Sequence, residues 1–454
     1  MSTTSTPSSS SKMQRIFQWL PKPWKQTAIF VAFFVFLLLT VNLISNTKKI
    51  QRDKTIEELQ QMVSITRIDT SKPSTEINQE KVYKKTNMVD KVSSELSKIQ
   101  SKKLILFYTT LWGRERWKGF ETTLNFNNWG GHPCKVQNCE ITHDRDAAPR
   151  ADVILFHAFA SDMVSQQELK LLSKTRSVDQ IWIYFVHATP YYAVPNPVFF
   201  NRYFNWTMTY QHNSDIVVPY NWESGTWEKK ATTKEASKSV NYAASKDKLM
   251  SATINFCGLL RDKFVKRLQE YIDVDVYGSC SSTFHKKRKE CPANKPECVT
   301  TMKRYKFFLA TEDAFCEDFI TSTYYQTLID GHSVPVVLGG ADYKKRAIPN
   351  SYIDALEFET IEELANHLKY LDQNVEAYNR YQKWREDYVL GPPRSWSCEI
   401  CRKINEERLE RKSYDNLGNW YSIEENCGTR VDIFKDLLKR SNVTGPYRDR
   451  HIPG

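Results

Sequence analysis

Apolar and polar positions alternate in blocks along the chain, and the clearest block runs from Arg304 to Ala341. Residues 306–310 (KFFLA) form a dense apolar and aromatic run of strand length. Residues 334–338 (VPVVL) form another, closed by Gly339 and Gly340. Between them, Asp318 is positioned to cap a helix carrying Phe319, Ile320, Tyr324, Thr327 and Leu328, ending at Gly331. Strand, helix and strand within that length predict a βαβ unit, and hence a parallel sheet covered by helices. A helix that begins just past a strand's carboxyl end aims free N–H groups at that point, where a phosphate is the usual ligand.

The same alternation recurs upstream. Residues 103–108 (KLILFY), 153–156 and 181–186 (IWIYFV) read as buried strands, with a helical segment at 166–173. Residues 206–210 alternate as a further strand. Residues 223–248 are polar, rich in Lys, Ser and Ala and without apolar period, so they read as a linker. A second α/β block opens at 253–257, with a helix at 262–271 and a strand at 272–276 that leads into Tyr277. Residues 359–388 predict a long amphipathic helical region through Ile361, Leu364, Leu368, Leu371, Val375 and Tyr378. Two α/β domains are expected, 102–238 and 239–390, followed by a charged, cysteine-containing extension (391–454) with no readable pattern.

One run differs in kind. Residues 27–44 (TAIFVAFFVFLLLTVNLI) carry no charge, and about 20 apolar residues span a bilayer. A cleavable signal peptide would have a shorter apolar run and small residues at the cut, whereas Leu43, Ile44 and Asn46 stand here. The reading is a transmembrane signal anchor (27–45) between a cytosolic tail (1–26), Ser/Thr-rich through Lys12, and a polar stem (46–101). Ile56, Leu59 and Val63 offer the stem one short amphipathic face for a homodimer, against the alternative of a flexible spacer. Lys and Arg flank the anchor on both sides, so charge alone leaves its orientation open. All ten cysteines follow Ile44, as do the glycosylation sequons at Asn205 and Asn442, which makes the large part lumenal.

The formal net charge is +11, from 64 Lys+Arg against 53 Asp+Glu. With no basic–aromatic recognition motif or zinc-finger spacing, that excess reads as positive charge spread over solvated surface rather than a nucleic-acid site. Cys134 and Cys139 bracket a small loop. Cys280, Cys291, Cys298 and Cys316 gather around a basic run; lacking paired CxxC arms, they read as disulfides rather than a zinc site. Cys398 and Cys401 form a CxxC without βαβ context, so structural bridges that include Cys427 are expected rather than redox chemistry.

Residues 304–341 resemble the donor-binding signature of the α1,3-fucosyltransferases. Tyr305, Lys306, Phe307, Leu309, Ala310, Glu312, Ile320, Thr321 and residues 334–339 fall into that frame without a gap. Residues 205–220 (NWTMTYQHNSDIVVPY) are similar to a second family segment, and Asp144, Arg145, Ala151, Asp152 and His157 to a third. The resemblance implies a GT-B fold: two Rossmann-like domains facing across a cleft, in a single-pass type II Golgi membrane protein. It implies transfer of fucose from GDP-fucose to a GlcNAc-containing acceptor such as an N-glycan, with no metal or other cofactor. It also implies donor contacts at Arg261, Tyr277, Glu312, Asp313, Phe319, Ser322 and Thr323, with Arg261 clamping the diphosphate bidentately.

Several polar positions depart from the family. Ser322-Thr323 stand where relatives carry Glu-Lys. Phe319 replaces a tyrosine, Asp313 an asparagine, and Gln326 an arginine. Relatives end the third strand in an acidic Glu-Ser-Pro-like turn, but this chain has His187-Ala188-Thr189-Pro190, so His187 or Ala188 replaces the glutamate. An imidazole with its ordinary pKa near ~6.5 makes His187 the candidate base. Three readings follow: an active α1,3-fucosyltransferase, a catalytically silent relative that binds glycans or partner proteins, and a transferase using another nucleotide sugar.

Overall fold

The computed structural model describes residues 102–454 except 115–116, 118–132, 194–196, 222–224, 232–239, 287–290, 292–295, 332, 393–394, 407–411 and 445–454. The expected tail, anchor and stem lie outside the described residues. Among the described residues, no helix is long and apolar enough to cross a membrane.

The first half is built on β1 (Lys103–Phe107), β2 (Cys139–Thr142), β3 (Val153–His157), β4 (Ile181–Phe185), β5 (Trp206–Thr209) and β6 (Ile216–Val217). They form one sheet in the order β2-β1-β3-β4-β5-β6, parallel at every pairing. Helix α1 (Gln166–Ser173) connects β3 to β4, capped where the Ser165 hydroxyl accepts from the Glu168 N–H. β3 and β4 are buried at every position, because helices and loops cover both faces of a parallel sheet. Their period of two sends Val153, Leu155, Ile181, Ile183 and Phe185 into one core and Ile154, Phe156, Trp182 and Tyr184 into the other.

The second half repeats the plan with β7 (Lys248–Thr253), β8 (Val274–Tyr277), β9 (Tyr305–Thr311), β10 (Val334–Leu338) and β11 (Ile353–Asp354). Their order is β11-β10-β9-β7-β8, again all parallel. Helix α2 (Leu260–Gln269) joins β7 to β8. Helix α3 (Ser322–Gln326), continued by a π turn at Thr327–Gly331, joins β9 to β10. The amphipathic stretch becomes α4 (Ile361–Gln373) and α5 (Val375–Arg380), which pack Leu364, Leu368, Leu371 and Tyr378 against this sheet.

Three local expectations are corrected. Helix α3 begins at Ser322 behind Thr321, not behind Asp318. Asp318 has φ +59°, and its carboxylate is engaged by the Arg346 guanidinium (2.6 Å) and the His212 backbone N–H (3.0 Å). The expected linker contains Trp227–Lys229, which pairs antiparallel with Tyr388–Leu390. Asn205 is packed rather than displayed: its amide donates to the Lys412 carbonyl (2.8 Å), and its carbonyl accepts from the Trp182 N–H. Asn442 is exposed.

The segment without legible pattern fastens the two halves. Helix α6 (Trp396–Ile404) inserts Trp396, Ile400, Cys401 and Ile404 into a core of the first sheet. Helix α7 (Val431–Arg440) inserts Val431, Phe434, Leu437 and Leu438 into that of the second. Between them, Arg430 pairs with the buried Asp354 at 2.6 Å. The bridges are Cys134–Cys398, Cys139–Cys401, Cys257–Cys280, Cys291–Cys298 and Cys316–Cys427, and no cysteine is free. Cys134 and Cys139 therefore reach separate partners, the CxxC is divided between them, and the expected cluster of four is split over three bridges. Two bridges close loops of 264 and 262 residues, the long-range kind that most restricts an unfolded chain.

Candidate active site

The carboxyl ends of β1, β4, β7 and β9 converge on a cleft of about 500 Å³ between the halves. Open α/β sheets bind ligands at this end. One wall carries Trp112, Phe159, Ala188, Thr189, Tyr192 and Tyr220; the other carries Phe256, Arg261, Glu312, Asp313, Phe319 and residues 321–323. A larger hollow of about 850 Å³, lined by Tyr370, Tyr381, Trp384 and Tyr388, shares no residue with it.

Arg261 is positioned by a tight βα turn. Gly258 adopts φ +85°, a left-handed conformation that suits glycine. Its N–H donates to the Asp262 carboxylate at 2.7 Å, which fixes the first turn of α2. The Arg261 residue is 6% exposed. Its Nη1 donates to the Thr311 carbonyl (3.3 Å) and its Nη2 to the Phe256 carbonyl (3.1 Å), while Nε has no partner. A guanidinium has five N–H donors, so this anchored cation keeps donors for an anion.

The two neighbouring carboxyls differ in surroundings. Glu312 is buried and accepts from the Thr321 N–H (2.9 Å) and hydroxyl (3.3 Å). Burial pushes it up to about 8 against those hydrogen bonds, so it keeps its proton at neutral pH. Asp313 is half-buried and accepts from the Tyr192 hydroxyl at 3.2 Å. That tyrosine stands on the opposite wall.

The Glu312 shift has a measurable consequence. The unfolded chain releases this proton near pH 4.5 and the folded protein near 8, so in between the native state binds more protons. Native stability therefore falls as pH rises through that window, with a slope approaching about 1.4 kcal/mol per pH unit. Glu312→Gln should remove the slope. Urea midpoints at pH 5, 6.5 and 8 should move progressively in the variant's favour; parallel profiles would contradict the assignment.

Two expected site residues do not belong. The His187 ring stacks on Tyr220 at 4.0 Å and meets Trp396 edge-on at 5.0 Å. Burial drives its pKa down to about 3, and it does not line the cleft; Ala188 does. His187 is thus a neutral imidazole with Nε2 buried outside the cleft, rather than the base. Tyr277 is also turned away: its hydroxyl bonds that of Tyr305 (2.8 Å), which in turn donates to Asp275 (2.5 Å). Arg261, Glu312, Asp313, Phe319, Ser322 and Thr323 do meet in the cleft. Trp112, Phe159, Tyr192, Tyr220 and Phe256 had not been singled out. The signal available for the first was Gly113 in the loop after β1, since glycine marks turns.

A two-sheet α/β protein with a guanidinium-lined cleft at its strand ends has the build of a nucleotide-sugar transferase. The family model for the fucosyltransferase N-terminal part matches residues 100–221, and that for glycosyltransferase family 10 (fucosyltransferase), C-terminal part, matches residues 233–420. Glycoprotein 3-alpha-L-fucosyltransferase A of Drosophila melanogaster is 31% identical over 328 residues, covering 70% of this chain and 60% of that protein. The human 3-galactosyl-N-acetylglucosaminide 4-alpha-L-fucosyltransferase FUT3 is 31% identical over 296 residues, covering 63% of this chain and 75% of that protein. A crystal structure of an alpha1,3-fucosyltransferase with GDP-fucose aligns with TM-score 0.41 at 15% identity, over 77% of this chain and 93% of the other. The chain belongs to glycosyltransferase family 10, the fucosyltransferases.

Proposed function

We propose that the protein is an α1,3-fucosyltransferase of GT-B build that moves fucose from GDP-fucose to a GlcNAc-containing glycan. The observation that carries this is Arg261: a buried, anchored guanidinium with unused donors, facing the cleft of a family 10 chain. In the transfer, the bond from fucose C1 to the phosphate oxygen breaks and its electron pair leaves with GDP. Arg261 stabilises that developing charge. The acceptor oxygen forms the new bond to C1 and must lose its proton. Asp313 is the carboxylate that takes it. Glu312 is already protonated at neutral pH and His187 does not line the cleft, whereas Asp313 already accepts from a hydroxyl of the opposite wall.

The reading includes a lumenal catalytic part in the Golgi, on a type II anchor formed by residues 27–45. The five disulfides support it, because they call for an oxidising compartment. The test is fucose transfer to N-acetyllactosamine by the full chain, with thermal unfolding followed in GDP and in UDP. GDP at about a hundred times its Kd should stabilise by about 2.7 kcal/mol. Stabilisation by UDP alone, or no transfer, would sink the reading.

A further inference from the structure

We infer that Trp112 is the platform on which the acceptor sugar stacks, and that the buried Asp162–His157 pair holds it there. The inference deepens the reading above, since it assigns the acceptor side of the same cleft. Past β1, the chain reverses in two residues: Leu111 and Arg114 exchange backbone hydrogen bonds (3.0 and 3.1 Å), with Trp112 at φ +50° and Gly113 at φ +74° between them. Glycine adopts such a conformation freely, but tryptophan is strained by it. The Trp112 residue is also 51% exposed, and it lines the cleft. Strain and an exposed large aromatic residue at one position are features that collect where ligands bind.

The turn is held from below. One Asp162 carboxylate oxygen accepts from the Trp112 N–H (2.6 Å); the other accepts from the Gly113 N–H and the Thr110 hydroxyl (both 2.7 Å). His157 Nδ1 lies 2.7 Å from the same carboxylate. Burial pushes the Asp162 carboxyl up, but the bonds from Thr110, Gly113, His157 and Trp112 hold it below its ordinary range. It therefore stays an anion fastening the turn. The Trp112 ring meets His157 edge-on at 5.6 Å, His157 stacks on Phe159 at 5.7 Å, and Phe159 stacks on Tyr192 at 6.3 Å. This row of rings runs from Trp112 to the hydroxyl that bonds Asp313. A pyranose has one face of C–H groups, and laid on the indole it would carry its hydroxyls along that row toward Asp313. Asp162 and His157 are positioning residues, since neither reaches the sugar.

The experiment uses the full chain, GDP-fucose and N-acetyllactosamine, with saturation-transfer NMR between protein and disaccharide as a readout independent of turnover. Trp112→Ala should raise the acceptor KM by about two- to tenfold, the scale of one lost aromatic contact. It should also abolish the saturation transfer and leave GDP affinity unchanged. Trp112→Phe should keep most of the binding. Asp162→Asn should raise the acceptor KM more than it lowers kcat, a split that mere destabilisation does not produce. An acceptor KM unmoved by Trp112→Ala, or GDP affinity falling in step with it, overturns the assignment. If the wild type transfers no fucose yet shows saturation transfer that Trp112→Ala removes, the platform stands and the reading of the reaction falls.

Discussion

Replacing Arg261 with methionine should lower fucose transfer by about 10²–10³-fold, the scale seen when one preorganised donor to a developing anion is lost. The variant keeps the length of the side chain and removes the charge. GDP affinity should fall with it, because in the proposed mechanism the guanidinium contacts the diphosphate before and after the bond breaks. Arg261→Lys is the informative companion. An ammonium restores the charge but cannot bond the Thr311 and Phe256 carbonyls and an anion in one plane. Lysine should therefore recover little of the rate. Steady-state kinetics with GDP titration calorimetry checks this, and the thermal midpoint of each variant separates lost chemistry from lost packing. Full activity in Arg261→Met would remove the central residue of the mechanism.

Arg261 was legible because two local signals agree at it: a strand's end and a helix's start. The same agreement explains why the strands of both sheets were readable. β3, β4 and β10 are buried on both faces, so their unbroken apolar runs have few other uses. The C-terminal extension was opaque for the opposite reason. Helices α6 and α7 pack onto sheets far away in the chain, and their register is set by Cys134, Cys139 and Asp354 rather than by neighbouring residues. Asp318 misled because an aspartate ahead of an apolar run signals a cap only when its carboxylate is free, and Arg346 and His212 occupy this one. His187 misled because chemistry was inferred from a residue type just past a strand, where one position decides between cleft and core. Ala188 faces the cleft, and His187 packs between Tyr220 and Trp396.

That single position supplies the last expectation. The resemblance places a family glutamate at His187 or Ala188 and a family asparagine at Asp313, and of the first two only Ala188 lines the cleft. If the family glutamate matches Ala188, the proposed mechanism puts the carboxylate on the opposite wall, at Asp313. Asp313→Asn removes the acceptor without changing shape and should lower kcat by about 10²–10⁴-fold, the usual contribution of a positioned general base. GDP affinity should hold or rise, since a negative charge leaves the cleft. Adding Ala188→Glu to that variant restores a carboxylate on the opposite wall, and activity should return in part. Ala188→Glu alone should change little, because Asp313 already does the task. The rates of the four proteins, measured with saturating GDP-fucose, form a double-mutant cycle whose coupling term reads the shared role directly. If Asp313→Asn keeps its kcat, or the second substitution rescues nothing, the proton goes elsewhere and the carboxylate's placement across the cleft is not functional.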